Sequence, residues 1–232
     1  MVIGIIAAEE KEMLAIKNNM TDILEEVIYE LKFIKGNIAN KACVLVECGV
    51  GKVNAARTTQ IMIDRYNPNY VINVGTAGGL TNELKVKDIV IGKDLIQHDF
   101  DITGVGNYEK GEIARTGKNF IADENLINLC KIVMEEYENR DFNIKIGRIV
   151  TGDWFASDLE KSLKIQKEFD ADCIEMEGAA IAQVCVLDKI PFLVIRGISD
   201  TPNGNNEIDF HTYIEEVSKR VGEILKVLIT RI

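Results

Sequence analysis

The sequence predicts an α/β fold, a single domain with three layers (α/β/α) built around a central mixed, twisted sheet. One observation is that apolar runs of strand length recur along the chain, at residues 2–6, 42–46, 70–74, 88–91, 144–150 and 192–198. The other is that segments with helical spacing separate most of these runs, an alternation typical of helices covering the faces of a sheet. A length of 232 residues with 47% hydrophobic content is enough for one large core, so we expect one domain over residues 1–232.

The first half of the chain opens on a predicted buried strand. Residues 2–8 are apolar, no basic region precedes them, and Glu9 and Glu10 follow at once, which argues against a signal peptide. Residues 52–66 carry apolar side chains at helical spacing directly after Gly49-Val50-Gly51. We therefore predict a helix there that leaves the end of a strand.

Three further helices are predicted in the second half of the chain. One has an apolar face formed by Leu126, Leu129, Val133 and Tyr137. Residues 178–187 combine apolar and small side chains, which permit close packing on a sheet. A last helix ends the chain, and its apolar face is formed by Ile214, Val217, Val221, Ile224 and Leu228.

Residues 97–118 show no hydrophobic periodicity. Glycines accumulate in this segment, at Gly104, Gly106, Gly111 and Gly117. Such a composition is typical of a loop with a function of its own. We expect a surface excursion that becomes ordered against a partner.

Charge and cysteine content restrict the class of ligand and the compartment. Lys and Arg number 27 and Asp and Glu number 37, so the net charge is 27 − 37 = −10, which argues against nucleic acid or an anionic membrane as a partner. The five cysteines are scattered without Cys-x-x-Cys spacing, which indicates reduced packing residues and a cytoplasmic location. No apolar run approaches the length of a membrane span.

Two acidic segments stand at the ends of apolar runs, Ile174-Glu175-Met176-Glu177-Gly178 and Arg196-Gly197-Ile198-Ser199-Asp200. In open α/β sheets the ligand crevice lies outside the carboxyl ends of the strands, so these residues are site candidates. A third acidic group, which includes Glu12, follows the first strand. Partial burial of such carboxylates would shift their pKa values and suit them to acid and base chemistry.

Other reaction classes fit the sequence poorly. Gly49-Val50-Gly51 has Asn54 where a dinucleotide fingerprint needs a third small residue, and Gly51-Lys52 lacks the spacing and the Ser or Thr of a phosphate loop. The two histidines, His98 and His211, do not form a metal-ligand spacing. What remains is carboxylate chemistry on an uncharged or weakly charged ligand. Cleavage of a bond at a sugar carbon needs such groups, and Asp200, Glu12 and Glu177 could divide the roles of acid, water-activating base and cation stabiliser.

The chain resembles the methylthioadenosine/S-adenosylhomocysteine nucleosidase family of the nucleoside phosphorylase superfamily. The motifs that carry the resemblance span nearly the whole chain: Ile3-Gly4-Ile5-Ile6 with Glu12, Gly49-Val50-Gly51-Lys52-Val53, Asn73-Val74-Gly75-Thr76-Ala77-Gly78-Gly79-Leu80, Gly152-Asp153 with Phe155, Glu175-Met176-Glu177 and Arg196-Gly197-Ile198-Ser199-Asp200. The resemblance implies a nucleoside phosphorylase-like fold. It also implies hydrolytic release of adenine from 5'-thio-substituted adenosines, no cofactor, and a homodimer.

The resemblance also implies catalytic roles. Asp200 would protonate the purine at N7 with Ser199 helping to orient it, and Glu12 would align the attacking water in a pocket shared with Thr76 and Arg196. No metal ion is implied.

The remaining site residues are implied as substrate contacts. Glu177 would accept hydrogen bonds from the ribose hydroxyls, and Met176 would lie against the sugar. Phe155 would stack on adenine, with backbone groups near it, at Ala156, reading the purine edge. Further predicted contacts are Glu175, which belongs to the motif, and Phe210, Ile102 and Val105, which would line the apolar 5' pocket, the last two from the neighbouring subunit.

Alternatives remain open at this point. A phosphate-dependent purine nucleoside phosphorylase and a non-catalytic nucleoside-binding protein would use similar motifs. The 5'-substituent is also open, because the chain departs from the family pattern at Glu9, Trp154, Val105 and Asn107. Without the resemblance, Glu9, Glu10 and Glu12 could simply be acidic residues in a first helical turn.

Overall fold

The computed structural model describes residues 1–136, 141–201 and 206–232. Within these ranges the chain forms ten strands and six helices around one mixed sheet, as predicted. The strands are β1 (Val2–Ala7), β2 (Thr21–Ile28), β3 (Leu31–Ile38), β4 (Lys41–Glu47), β5 (Tyr70–Gly79), β6 (Ile89–Gln97), β7 (Phe120–Ile121), β8 (Ile144–Thr151), β9 (Cys173–Glu175) and β10 (Phe192–Asp200). The helices are α1 (Glu10–Lys17), α2 (Lys52–Tyr66), α3 (Glu124–Glu136), α4 (Leu159–Phe169), α5 (Gly178–Asp188) and α6 (Asn206–Arg231).

Part of the sheet closes on itself. The strand order is β10-β6-β8-β9-β5-β1-β4-β3-β2, and β10 also pairs with β5, so β5, β10, β6, β8 and β9 form a ring. In this ring β10 runs parallel to β5, whereas β9 runs antiparallel to β5 and parallel to β8. The strands β8 and β9 therefore run in the opposite direction to β5 and β10, and their carboxyl ends approach β5 from the opposite side.

The predicted helices agree with the observed helices. The helix predicted at residues 52–66 is α2, and the one predicted at 178–187 is α5, which extends one residue further. The apolar face predicted for the last helix is buried in α6. Leu126 and Val133 are buried in α3, whereas Tyr137, expected on the same face, lies outside the described residues.

The hairpins β2–β3 and β3–β4 were not predicted. Their two-residue turns, Tyr29 with Glu30 and Ala39 with Asn40, all have positive φ, from 49° to 68°, as in type I′ turns. Such turns usually contain glycine, and neither of these does. In addition, β2 is largely exposed and shows no apolar run. The short strands β7 and β9 and the helix α4 were not predicted either.

The segment predicted as an excursion is largely irregular. Between β6 and β7 it contains one short 3₁₀ helix, Thr103–Val105, and Val105 is 81% exposed. Among the described helices, none combines the length and the apolar content that crossing a bilayer requires.

Helix α6 packs closely on the most deeply buried strand. Every residue of β10 is buried, and a Cβ added at Gly197 would lie 2.1 Å from Val217 Cγ1 in α6. Glycine at this position therefore lets the helix lie directly on the strand. That contact fixes β10, which carries the acidic end of the second motif.

We predict that Gly197→Ala destabilises the fold by about 1 to 3 kcal/mol, because the added methyl group overpacks the contact between β10 and α6. Urea denaturation measures the effect. Gly104→Ala is the matched control, since a Cβ there meets nothing within 4 Å. Equal stability of the two variants would contradict the prediction.

Candidate active site

One cavity of about 320 Å³ lies where β1, β5 and β10 meet the ends of β8 and β9. Ten of the predicted site residues line it: Glu12, Thr76, Phe155, Ala156, Glu175, Met176, Glu177, Ser199, Asp200 and Phe210. Arg196 lies behind this wall, whereas Ile102 and Val105 do not line the cavity. The last two were expected to act on a second subunit, so their role stays a prediction.

Asp200 ends β10 and is buried. The Ser199 hydroxyl donates a hydrogen bond of 2.8 Å to Asp200 Oδ1, which orients the carboxyl group. Burial raises the pKa of Asp200 from 3.8 to about 6, while the Ser199 hydrogen bond opposes the shift and the charge of Asp209 adds to it. The carboxyl group can therefore carry a proton at a pH close to neutrality.

Glu12 projects from α1 toward β5. Its Oε1 accepts hydrogen bonds from the Thr76 backbone N–H at 2.8 Å and from the Thr76 hydroxyl at 3.0 Å. Its Oε2 accepts from the backbone N–H groups of Ala8 at 3.1 Å and Glu9 at 3.2 Å. Burial raises the pKa of Glu12, and the charge of Arg196 and these hydrogen bonds oppose the shift. The carboxylate is held rigidly at the cavity wall.

Arg196 is 1% exposed and ion-pairs with Glu175. Its Nη2 also donates a hydrogen bond to Asn73 Oδ1, and Asn73 in turn donates to the Ile6 carbonyl at 2.8 Å. The structure thereby joins β1, β5, β9 and β10 through one guanidinium. Asn73 belongs to one of the family motifs but was not predicted as a site residue. A polar side chain inside an apolar strand was the available signal that it makes a buried hydrogen bond.

Glu175 is occupied by protein donors on both oxygens. The Thr151 hydroxyl and Arg196 bind its carboxylate, as do the backbone N–H groups of Glu177 at 3.1 Å and Gly178 at 2.7 Å. The last two open helix α5, where a negative charge is favourable. These contacts indicate that Glu175 positions Arg196 and α5, whereas its predicted contact with substrate stays a prediction.

Glu177 precedes helix α5 and faces the cavity. Its Oε1 accepts a hydrogen bond of 2.8 Å from the Gly51 backbone N–H. Burial and then the charge of Glu175 raise the pKa of Glu177 to about 8, and Arg196 opposes the shift. With one oxygen engaged by Gly51, the other oxygen can meet a ligand in the cavity.

The aromatic side of the cavity is formed by the loop after β8 and by α6. The Phe155 and Phe210 rings pack edge to face, with centroids 5.8 Å apart. Phe155 is 40% exposed, so its ring has a free surface for a planar ligand. Trp154 also lines the cavity, and Lys161 Nζ lies 3.5 Å from its ring centroid.

Several lining residues were not predicted as site residues. They are Ala8, Glu9, Val50, Ala77, Gly78, Trp154 and Ile174. All but Val50 are next to, or within a few residues of, a predicted site residue, and Val50 belongs to the Gly49-Val50-Gly51 motif; these positions were the available signal. Glycine matters at Gly78 because a Cβ there would lie 3.1 Å from Asp200 Oδ2, and at Gly75 because it would lie 2.9 Å from Glu12 Oε1.

The cavity wall is acidic. Of the residues that the structure describes, five carboxylates line it, Glu9, Glu12, Glu175, Glu177 and Asp200, and no lysine, arginine or histidine does. Among the residues that the structure describes, no group of three His, Cys, Asp or Glu side chains is arranged to hold a metal ion. Such a wall favours a neutral ligand on which positive charge develops during reaction.

A sequence profile of the Phosphorylase superfamily matches residues 2–230. The chain is 40% identical, over 225 residues and 97% of each chain, to the 5'-methylthioadenosine/S-adenosylhomocysteine nucleosidase of Staphylococcus carnosus. The fold is similar to that of the Neisseria meningitidis nucleosidase solved with methylthio-immucillin-A, with a TM-score of 0.95, 32% identity, and coverage of 100% of this chain and 99% of that one. It is also similar to the futalosine hydrolase of Helicobacter pylori, with a TM-score of 0.94, 30% identity, and coverage of 100% and 98%. The chain therefore belongs to the phosphorylase superfamily and, within it, to the methylthioadenosine/S-adenosylhomocysteine nucleosidase family that its motifs predict.

Proposed function

We propose that this protein is an N-ribosyl hydrolase that acts on 5'-methylthioadenosine and S-adenosylhomocysteine. Water cleaves the N-glycosidic bond and releases adenine and the 5-thio-substituted ribose. The observation that carries the proposal is that Asp200 and Glu12 line one cavity together with Glu177. The relatives that carry the nucleosidase name, of which the chain covers nearly the whole length, support the same activity.

In the proposed reaction the bond between C1' and the purine N9 breaks as Asp200 donates its proton to N7. Adenine then leaves as a neutral molecule, and the sugar acquires oxocarbenium character. Glu12 accepts a proton from the attacking water, whose oxygen bonds to C1'. Glu177 binds the ribose hydroxyls, and the acidic wall stabilises the positive charge on the sugar.

Phe155 provides the ring that would stack on adenine, beside backbone groups at Ala156. Met176 would lie against the sugar, and Phe210 would close the 5' side. We leave the preferred 5'-substituent open, because Glu9 and Trp154 line the same cavity and depart from the family pattern.

The negative charge of the cavity wall distinguishes hydrolysis from phosphorolysis, because only phosphorolysis needs an anion bound beside C1'. A phosphate dianion next to C1' would lie near Glu9 and Glu12, and none of the described lining residues is a cation that could attract it. Arg196, which lies behind the cavity wall, is already bound to Glu175. The charges around the cavity therefore favour hydrolysis over phosphorolysis.

We further propose a cytoplasmic homodimer of single-domain chains that works without cofactor. Val53 and Val105 are 79% and 81% exposed, and Val50 at the cavity rim is 45% exposed, which supports an apolar contact between copies. In that dimer Ile102 and Val105 would complete the partner's 5' pocket. Sedimentation at the mass of a single chain, 25.9 kDa, would refute the dimer.

We predict that the purified protein releases adenine from methylthioadenosine in phosphate-free buffer. Asp200→Asn and Glu12→Gln should each lower kcat by about 10² to 10⁴, the usual contribution of a general acid or base. Asp141→Asn, which alters an exposed carboxylate outside the cavity, is the control and should retain activity. A strict requirement for phosphate would establish the phosphorylase instead.

We predict that Asp200→Asn removes part of the pH dependence of stability. The folded pKa of Asp200, about 6, is higher than its ordinary value of 3.8, so its stabilising contribution is complete below 3.8 and is lost as the pH rises through 6. Relative to the parent protein, the variant should therefore gain about 2 to 3 kcal/mol between pH 4 and pH 8. Urea denaturation at both pH values measures this difference, and no change in the difference would contradict the assignment.

A further inference from the structure

Three charged side chains meet just outside the cavity, where the loops after β4, β6 and β8 converge. We call Lys52, Asp99 and Asp153 the loop clamp. Lys52 Nζ lies 2.5 Å from Asp99 Oδ1 and 3.9 Å from Asp153 Oδ2. The Asp153 backbone N–H donates to Asp99 Oδ2 at 2.9 Å, so the three residues form a closed set of contacts.

The loop clamp is directly connected to Glu177. Asp153 Oδ1 accepts a hydrogen bond of 2.9 Å from the backbone N–H of Lys52, the first residue of α2. The preceding residue, Gly51, donates its N–H to Glu177 Oε1 at 2.8 Å. Two carboxylates are thus held by adjacent N–H groups where α2 begins, a position that favours negative charge.

The same contacts leave Gly51 and Lys52 unable to act as a phosphate-binding loop. Gly51 uses its N–H on Glu177, and Lys52 uses its ammonium group on two aspartates. Gly51 has a φ of +97°, and a Cβ there would lie 3.2 Å from Asp153 Oδ1, so glycine is required for this approach. Gly51 and Lys52 therefore hold neighbouring carboxylates of the protein in place and do not bind a phosphate.

We propose that the loop clamp positions Glu177 for ribose binding by fixing the Gly51 N–H. Lys52, Asp99 and Asp153 act through Gly51 and are positioning residues that do not touch the substrate. The proposal rests on the proposed function, in which Glu177 binds the ribose hydroxyls. It adds three residues, from outside the cavity, that determine nucleoside affinity.

Removing the lysine charge would loosen this arrangement. In Lys52→Met the carboxylates of Asp99 and Asp153 would face each other without a cation, because Lys52 is the residue that ion-pairs with both. Their repulsion would weaken the hydrogen bond that Asp153 Oδ1 accepts from the Lys52 N–H at the start of α2. The Gly51 N–H would then no longer hold Glu177 in place.

The experiment compares Lys52→Met with Lys145→Met by steady-state hydrolysis of methylthioadenosine. Lys145 is a matched control because it also lies between two carboxylates, Glu83 and Asp172, but at the start of β8 and away from the cavity. We expect Lys52→Met to raise KM about tenfold, a usual cost of losing a charged hydrogen bond, with kcat changed less than about threefold. Lys145→Met should leave both unchanged.

A double-mutant cycle separates positioning from general loosening. In a Glu177→Gln background, Lys52→Met should have no further effect on KM, because the group that it positions has been altered. Trp154, the single tryptophan, lines the cavity, so we expect its fluorescence to change when adenine binds. The Kd for adenine, which has no ribose, should stay within about twofold of the parent value.

An equal rise in KM in both backgrounds, an unchanged KM in Lys52→Met, or a matching loss of adenine affinity would each overturn the proposal. If Lys52→Met does not fold, Asp99→Asn is judged by the same criteria. If the parent protein does not hydrolyse methylthioadenosine, the proposed function fails. The loop clamp is then tested by methylthioadenosine binding alone, through Trp154 fluorescence in the same variants.

Discussion

The acidic site depends on one buried cation. Arg196 ion-pairs with Glu175, and its charge opposes the upward pKa shifts of Glu12 and Glu177. Three carboxylates buried near one another without a cation would be strongly destabilising, because each would lose hydration and repel the others. The charge of Arg196 offsets part of this cost, although burial still raises the pKa values of Glu12 and Glu177. The site therefore keeps its acidic character at the centre of the fold.

The closed ring of strands explains how these groups come together. Because β9 runs antiparallel to β5 along Gly78 and Gly79, Glu175 comes within reach of Arg196, which also binds Asn73 of β5. Thr151, opposite Glu175 in β8, binds its carboxylate and also accepts from the Ala179 N–H of α5 at 2.8 Å. The ribose-binding candidate Glu177 is thereby placed by β8, β9 and α5 together, and the start of α2 completes its surroundings.

Much of the fold was predictable because its buried elements have strong local patterns. The strands β1, β5, β8 and β10 contain mainly apolar runs, and α2, α5 and α6 show helical spacing of apolar residues. The hairpins of β2, β3 and β4 were not recognised as a unit, since their turns place Tyr29, Glu30 and Ala39 at positive φ instead of glycine. The strand β9 has only three residues, and its pairing partners define it more than its composition does.

The family, the order of the main elements and the carboxylates Glu12, Glu175, Glu177 and Asp200 of the cavity could be read from the sequence alone. Residue types and motif spacing carry that information, because they depend on local chemistry. Only the tertiary structure determines which carboxylate oxygens are engaged: Glu175 is occupied by protein donors, whereas Glu177 lines the cavity with one oxygen bound by the Gly51 N–H. The tertiary structure also determines that Lys52 ion-pairs with Asp99 and Asp153. These contacts join residues far apart in the chain, so they follow from strand direction and ring closure, which no local pattern encodes.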